Sequence, residues 1–321
     1  MATLRIQLFG KFTVCCDGRE LGGLDAGKSQ ELLCYLLVNR DRPHPRETLA
    51  GLLWGDASTE RSKKYLRQAL WHLQGVLDAG GESTRTVLRA DHDWVQLDER
   101  AEVWLDVGDF ERAFDAARGE RGKGLEDGRA DELRAAIELY RGDLLEGWYQ
   151  DWCLFERERL QNMYLLMLDK LMSHCEARED LEAGQHFGGL ILRHDRAREG
   201  AHRRLMRLHH LAGDRTAALR QYERCVTALR EELGVAPDRH TVALYREIRS
   251  DAAASAAPPP AHTEPPAQPD AADAQPLSLS DVLGRLKQLQ HVVSDAQHRI
   301  QQDIKTVEHA LRRKSGRAAD R

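Results

Sequence analysis

Long apolar runs are missing from this 321-residue sequence. No stretch approaches the roughly 18 or more consecutive apolar residues that span a bilayer, and Met1 to Gly10 lack a basic segment followed by an apolar one. No membrane partner is expected, and the expected compartment is the cytoplasm. Cysteine is sparse and scattered: Cys15, Cys16, Cys34, Cys153, Cys175 and Cys225 form no C-x-x-C pair and no cluster with histidine at metal-ligand spacing. Reduced, structural thiols are expected and no bound metal. Catalytic signatures are also lacking. G-x-x-x-x-G-K-[ST], G-x-S-x-G and H-E-x-x-H do not occur, and the fourteen histidines and scattered acids make no spacing that suggests a site. The reading is therefore not an enzyme, with no catalytic residue and no cofactor. Aromatic residues make up only 6% of the chain, while Leu, Ala, Arg and Glu dominate long stretches, which favours helix over sheet beyond the N-terminus.

What is present is a mainly α pattern with a mixed start. Leu4-Arg-Ile-Gln-Leu-Phe-Gly alternates apolar and polar residues, and Phe12-Thr-Val-Cys-Cys before the Asp17-Gly18 turn signal repeats the pattern. A short antiparallel sheet is expected. Leu32, Leu33, Leu36 and Leu37 then make a helical stripe that stops near Asn39, before Pro43 and Pro45. A second short helix runs from Glu47 to Trp54 and ends at Gly55. Ser58 can cap a third helix with Glu60 in its first turn; that helix carries Leu66, Leu70, Leu73 and Leu77 along one side and stops before Gly80-Gly81. Thr86-Val-Leu-Arg and Trp94-Val-Gln-Leu flank Ala90-Asp-His-Asp as a hairpin. Sheet, three helices and hairpin in that order predict a winged helix-turn-helix over residues 1–98.

Beyond Leu105-Asp106 a helical domain is expected over 104–250, broken at Gly119 to Gly128, Gly142, Gly147, Gly213 and Gly234. Asp180-Leu-Glu-Ala183 aligns with Asp214-Arg-Thr-Ala217 at a period of 34 residues, which is that of TPR helix pairs. An Ala/Pro-rich linker is expected over 252–276. A coiled-coil helix is expected over 277–313, because Leu279, Val282, Leu286, Leu289, Val293, Ala296, Ile300, Val307 and Ala310 recur at spacings of 3 and 4, interrupted only by Asp303. The first reading of that stripe is a homodimer; docking back onto the helical domain is the alternative.

The net charge of −5 conceals a local excess. Between Arg61 and His72 stand Arg61, Lys63, Lys64 and Arg67 with no acid. With the leucine stripe turned inward, the opposite face of the third helix presents Arg61, Lys64, Tyr65, Gln68, Trp71, His72 and Gly75, with Lys63 and Arg67 on its flanks. Arg or Lys can pair with guanine and Gln with adenine in the major groove of double-stranded DNA, while flanking cations meet phosphates. A solvated face would look similar except for Trp71, a large aromatic that needs DNA, the hairpin or a protein to cover it. The candidate DNA-binding residues are Arg61, Lys63, Lys64, Arg67, Gln68, Trp71, His72 and Arg89. In the hairpin Arg85 and Arg89 could reach phosphate, against which Asp91 and Asp93 weigh.

Several segments resemble the Streptomyces antibiotic regulatory protein (SARP) family. These are Leu4 to Gly10, Arg46-Glu-Thr-Leu-Ala-Gly-Leu-Leu-Trp-Gly-Asp56 and Leu66-Arg-Gln-Ala-Leu-Trp-His-Leu73, which look like its OmpR-type winged helix. Trp104-Leu-Asp-Val-Gly-Asp-Phe110, Ala197-Arg-Glu199 with Leu205-Met206, and Ala217-Ala-Leu-Arg-Gln-Tyr222 running on to Glu231-Glu-Leu-Gly-Val-Ala-Pro237 are similar to its bacterial transcriptional activator domain. The resemblance implies binding to promoter repeats and recruitment of RNA polymerase, with the loop Trp54 to Thr59 placed for polymerase contact. No receiver domain or ATPase is expected from the motifs in this sequence. A protein-interaction scaffold with weak or no DNA binding is the rival reading, since residues 1–98 carry thirteen basic and thirteen acidic residues.

Overall fold

The computed structural model describes residues 4–24, 27–79, 87–98, 100, 101 and 103–255. Helix accounts for 64% and strand for 10%, with the small sheets gathered toward the N-terminus, so the chain is mainly helical as the composition predicts. Strands β1 (Leu4–Gln7), β2 (Thr13–Cys16) and β3 (Arg19–Glu20) run antiparallel in sequence. The two-residue loop between β2 and β3 is Asp17-Gly18, and both residues have positive φ (50° and 77°). Such a loop matches the twist of a tight hairpin, which is why an Asp-Gly pair sits there.

Helix α1 (Lys28–Val38) buries Leu32, Leu33, Leu36 and Leu37. A two-residue strand β4 (His44–Pro45) leads into α2 (Arg46–Leu53), and α3 (Thr59–Ala79) follows. Strands β5 (Leu88–Ala90) and β6 (Trp94–Leu97) form the expected hairpin, and β4 joins the far side of β6 in a second sheet of order β4-β6-β5. Pro43 and Pro45 read as breakers in the sequence. Pro45 nevertheless fits the last position of an edge strand, where a missing N–H is tolerated.

Strand β7 (Val103–Leu105) pairs in parallel with β1, so the first sheet has the order β3-β2-β1-β7. Immediately after it come α4 (Asp106–Ala116), a 3₁₀ turn (Gly122–Gly124) and α5 (Asp127–Leu139). The 27-residue α6 (Asp151–Ala177) follows, then α7 (Leu181–His194), α8 (Glu199–Leu211), α9 (Arg215–Leu233) and α10 (Arg239–Ser255). The 34-residue period has a geometric counterpart. Asp180 caps α7 by accepting from the Ala183 N–H (3.1 Å), and Asp214 caps α9 by accepting from the Ala217 N–H (2.8 Å). Gly234 ends α9 in the left-handed conformation (φ 68°), the usual helix stop.

The N-terminal elements and the helices share one apolar cluster running from Leu4 and Phe9 through Phe110 and Tyr140 to Leu208. Asp106 fastens the junction. Its buried carboxylate accepts from the backbone N–H groups of Leu8, Phe9 and Val107 at 2.7 to 3.0 Å, so the first turn of α4 holds the end of β1. Burial pushes this carboxyl above the ordinary aspartate range, and the three N–H donors oppose that shift. Above it the Arg5 guanidinium stacks on the Trp104 ring at 4.1 Å. The linker expected from residue 252 starts instead inside α10, which continues to Ser255. The remainder of that linker, the coiled coil at 277–313 and Arg85 lie outside the described residues.

Candidate nucleic-acid interface on the third helix

Helix α3 is anchored by its leucines. Leu66, Leu70, Leu73 and Leu77 are all at or below 4% exposure, as their spacing along one face requires. Its N-terminal end is held by a residue that the sequence did not single out. Ser62 is buried, and its hydroxyl lies 2.9 Å from the Trp54 carbonyl, 3.2 Å from that of Ser58 and 3.4 Å from that of Ala57. One side chain thus ties the loop between α2 and α3 to the first turn of α3. Gly55 lies in that loop, where a Cβ would come within 2.9 Å of the Gly51 carbonyl oxygen. A small polar residue one turn into a helix, following a Trp-Gly loop, is the only sequence signal for such a pin.

With its inner side fixed, the outer side of α3 is exposed at Arg61, Lys64, Tyr65, Gln68, Trp71, His72 and Gly75. Arg61 and Lys64 have no carboxylate within 4 Å among the described residues, so their charge is available to a ligand. Trp71 is 77% exposed, so the hairpin does not cover it. Tyr65 leans on Trp54, with ring centroids 6.3 Å apart, which ties the row to the α2–α3 loop.

Lys63 and Arg67 separate from this row. The Lys63 ammonium bonds Glu47 of α2 at 2.7 Å, which raises the lysine pKa and lowers that of Glu47. Together with Arg67, Lys63 lines a groove of about 510 Å³ that also contains Arg46, Glu60 and, from the hairpin tip, His92 and Asp93. The tip is itself hydrogen-bonded around Asp91. Asp91 accepts from the N–H groups of Asp93 and Trp94, which hold its carboxyl below the ordinary range, and Arg46 donates to the Asp91 carbonyl at 2.9 Å. Arg89 stands on β5, exposed, with Asp98 3.9 Å away. The eight candidates therefore sit in three places: Arg61, Lys64, Gln68, Trp71 and His72 on the open row, Lys63 and Arg67 facing the hairpin tip, and Arg89 on the hairpin strand.

Among the described residues no three His, Cys, Asp or Glu side chains gather as a metal ion would need. No described helix is long and apolar enough to cross a membrane.

The small sheets, three helices and hairpin that carry this basic helix face share one apolar core with the helices that follow. Residues 105–249 match the family described as the bacterial transcriptional activator domain. The chain is 27% identical over 309 residues to Regulatory protein AfsR of Streptomyces coelicolor, a match covering 91% of this chain and 29% of AfsR. It is 24% identical over 252 residues to Transcriptional regulatory protein EmbR of Mycobacterium tuberculosis, covering 76% of this chain and 63% of EmbR. The solved structure of Mycobacterium tuberculosis EmbR in complex with a low affinity phosphopeptide shares the fold, with a TM-score of 0.58 and 22% identity over 78% of this chain and 66% of that one. These matches agree with the motifs of this chain that resemble the SARP family. It spans less than two thirds of the length of these relatives.

Proposed function

We propose that this chain is a cytoplasmic, sequence-specific DNA-binding transcription regulator whose α3 enters the major groove. The observation that carries the reading is the open row of Arg61, Lys64, Gln68 and Trp71 on a helix whose opposite side is locked into the core. Arg61, Lys64 and Gln68 supply base-edge donors and acceptors, and Trp71 and His72 extend the contact along the groove. Lys63, Arg67 and Arg89 set affinity through phosphates; Lys63 exchanges its Glu47 partner for a phosphate as it does so. The helix pairs α7–α8 and α9–α10 act as a TPR-like unit, residues 1–98 and 104–250 serve as DNA-binding and regulatory parts joined by one core, and a homodimer forms through the 277–313 coiled coil. Activation proceeds by recruiting RNA polymerase to the Trp54 to Thr59 loop, which Ser62 holds in shape.

The test is selection from genomic DNA fragments followed by sequencing. Enriched repeats, with binding lost on Lys64→Ala/Gln68→Ala, support the reading; no enrichment over background counts against it. A protein-interaction scaffold is the second reading, favoured by the exposed Tyr149 (79%) and Phe155 (72%) at the head of α6. Deleting residues 256–321 and measuring mass in solution tests the dimer: a monomer is expected, and an unchanged dimer would place the interface elsewhere.

A further inference from the structure

Helices α7, α8 and α9 enclose an open groove of about 910 Å³, well removed in sequence from α3. Its floor is apolar, made by Leu192, Leu205 and Ala228, and Gly189 widens it because a Cβ there would meet nothing within 4 Å. Its rim is cationic. Arg193, Arg196, Arg220 and Arg224 line it, against the single carboxylate of Glu223. Arg196 is engaged by Glu231 and Glu232 at 3.2 and 3.7 Å. The other three arginines have no carboxylate within 4 Å among the described residues. In a chain with a net charge of −5, three unneutralised guanidinium groups around one groove repel each other until an anion arrives.

A buried polar chain prepares one of them. His202 and Gln221 are each only 3% exposed. The His202 Nε2–H donates to the Arg196 carbonyl at 2.9 Å, which leaves Nδ1 unprotonated to accept from the Gln221 side-chain amide at 2.7 Å. The Gln221 oxygen then accepts from Arg224 at 3.5 Å. Burial lowers the His202 pKa and so keeps the ring in the neutral form that this chain requires. Arg224 is thereby oriented at the groove before any ligand binds, which reduces the entropy cost of binding.

We propose that this groove binds an extended acidic peptide segment of a partner protein. An extended chain alternates its side chains, so apolar residues can lie on the Leu192–Leu205–Ala228 floor while carboxylates reach the arginine rim. A duplex would present phosphates on a convex surface and leave the floor empty, and a small polyanion would use the rim without the floor.

The test uses the full chain and a fluorescein-labelled decapeptide of alternating Glu and Leu, followed by fluorescence anisotropy. Arg193→Glu/Arg220→Glu should weaken binding about tenfold or more, and Arg193→Gln/Arg220→Gln should weaken it less. Arg246→Glu, on the exposed side of α10, should leave it unchanged. All three variants should keep the wild-type circular dichroism and thermal midpoint, because these arginines are exposed. Equal binding by wild type and the Arg193→Glu/Arg220→Glu protein overturns the proposal, as does an equal loss with Arg246→Glu. Displacement of the peptide by inorganic triphosphate at equal or lower concentration would make this a small-polyanion site and would also overturn it. A matching loss of duplex DNA affinity in the groove variants would reassign the groove to nucleic acid.

Discussion

At the residue scale, the proposed DNA contact assigns base reading and phosphate contact to different positions on α3. Lys64 and Gln68 project from the open row and have no side-chain partner to give up among the described residues. Lys64→Ala and Gln68→Ala should each cost about 1–3 kcal/mol for the preferred sequence and little for random DNA, as competition binding would show. Arg67, beside the hairpin tip, should behave differently: Arg67→Ala weakens all duplexes about equally and flattens the salt dependence of binding. Ser62 has a structural consequence. Ser62→Ala should lower stability by about 1–2 kcal/mol in urea denaturation, because the buried hydroxyl's hydrogen bond to the Trp54 carbonyl is lost. The candidate row was legible because exposure follows directly from helical period once the leucines are set inward. The loss of Lys63 to Glu47 was not, since those residues are sixteen apart and meet only when α2 packs on α3.

Helices were legible at the element scale wherever apolar period and a stop signal coincided. α1 ends at Val38 with Asn39 as its cap, α3 reaches Ala79 before the Gly80-Gly81 pair, and α9 stops at Gly234. Short strands without alternation were not. β4 has two residues, one a proline, and exists because β6 offers it an edge. Element packing also gives a pH prediction. The buried His202 between α8 and α9 has a folded-state pKa below its ordinary value. Above the unfolded pKa of about 6.5 both states are neutral and its contribution is complete. As pH falls below that value the unfolded chain takes up the proton first, and this contribution is lost. The stability advantage of wild type over His202→Gln should therefore shrink from pH 7 to pH 5, as read by thermal unfolding at each pH. A constant difference would mean that the ring is not held neutral.

For the whole molecule, the sequence suggested a seam between residues 98 and 104, and the structure runs the first sheet across it. β7 pairs with β1, Asp106 holds Leu8 and Phe9, and Arg40 of the N-terminal segment shares the Glu111 carboxylate of α4 with Arg159 of α6. Parallel pairing over about a hundred residues leaves no local mark in a sequence, which is why it was not anticipated. A fragment ending at residue 98 should accordingly lose its cooperative unfolding transition, whereas the full chain melts residues 4–255 in one step by calorimetry. Two separate transitions in the full chain would show that the shared cluster does not couple its parts.

The role proposed for the open row of α3 is to read DNA sequence. Binding-selected genomic fragments, sequenced at two salt concentrations for wild type and for the Lys64→Ala/Gln68→Ala protein, test it most directly. If α3 reads sequence, repeats with half-sites spaced about 10 to 11 base pairs are enriched by wild type at both salts and not by the variant. Enrichment that is identical in the two proteins, or absent from wild type beyond salt-sensitive background, would contradict it.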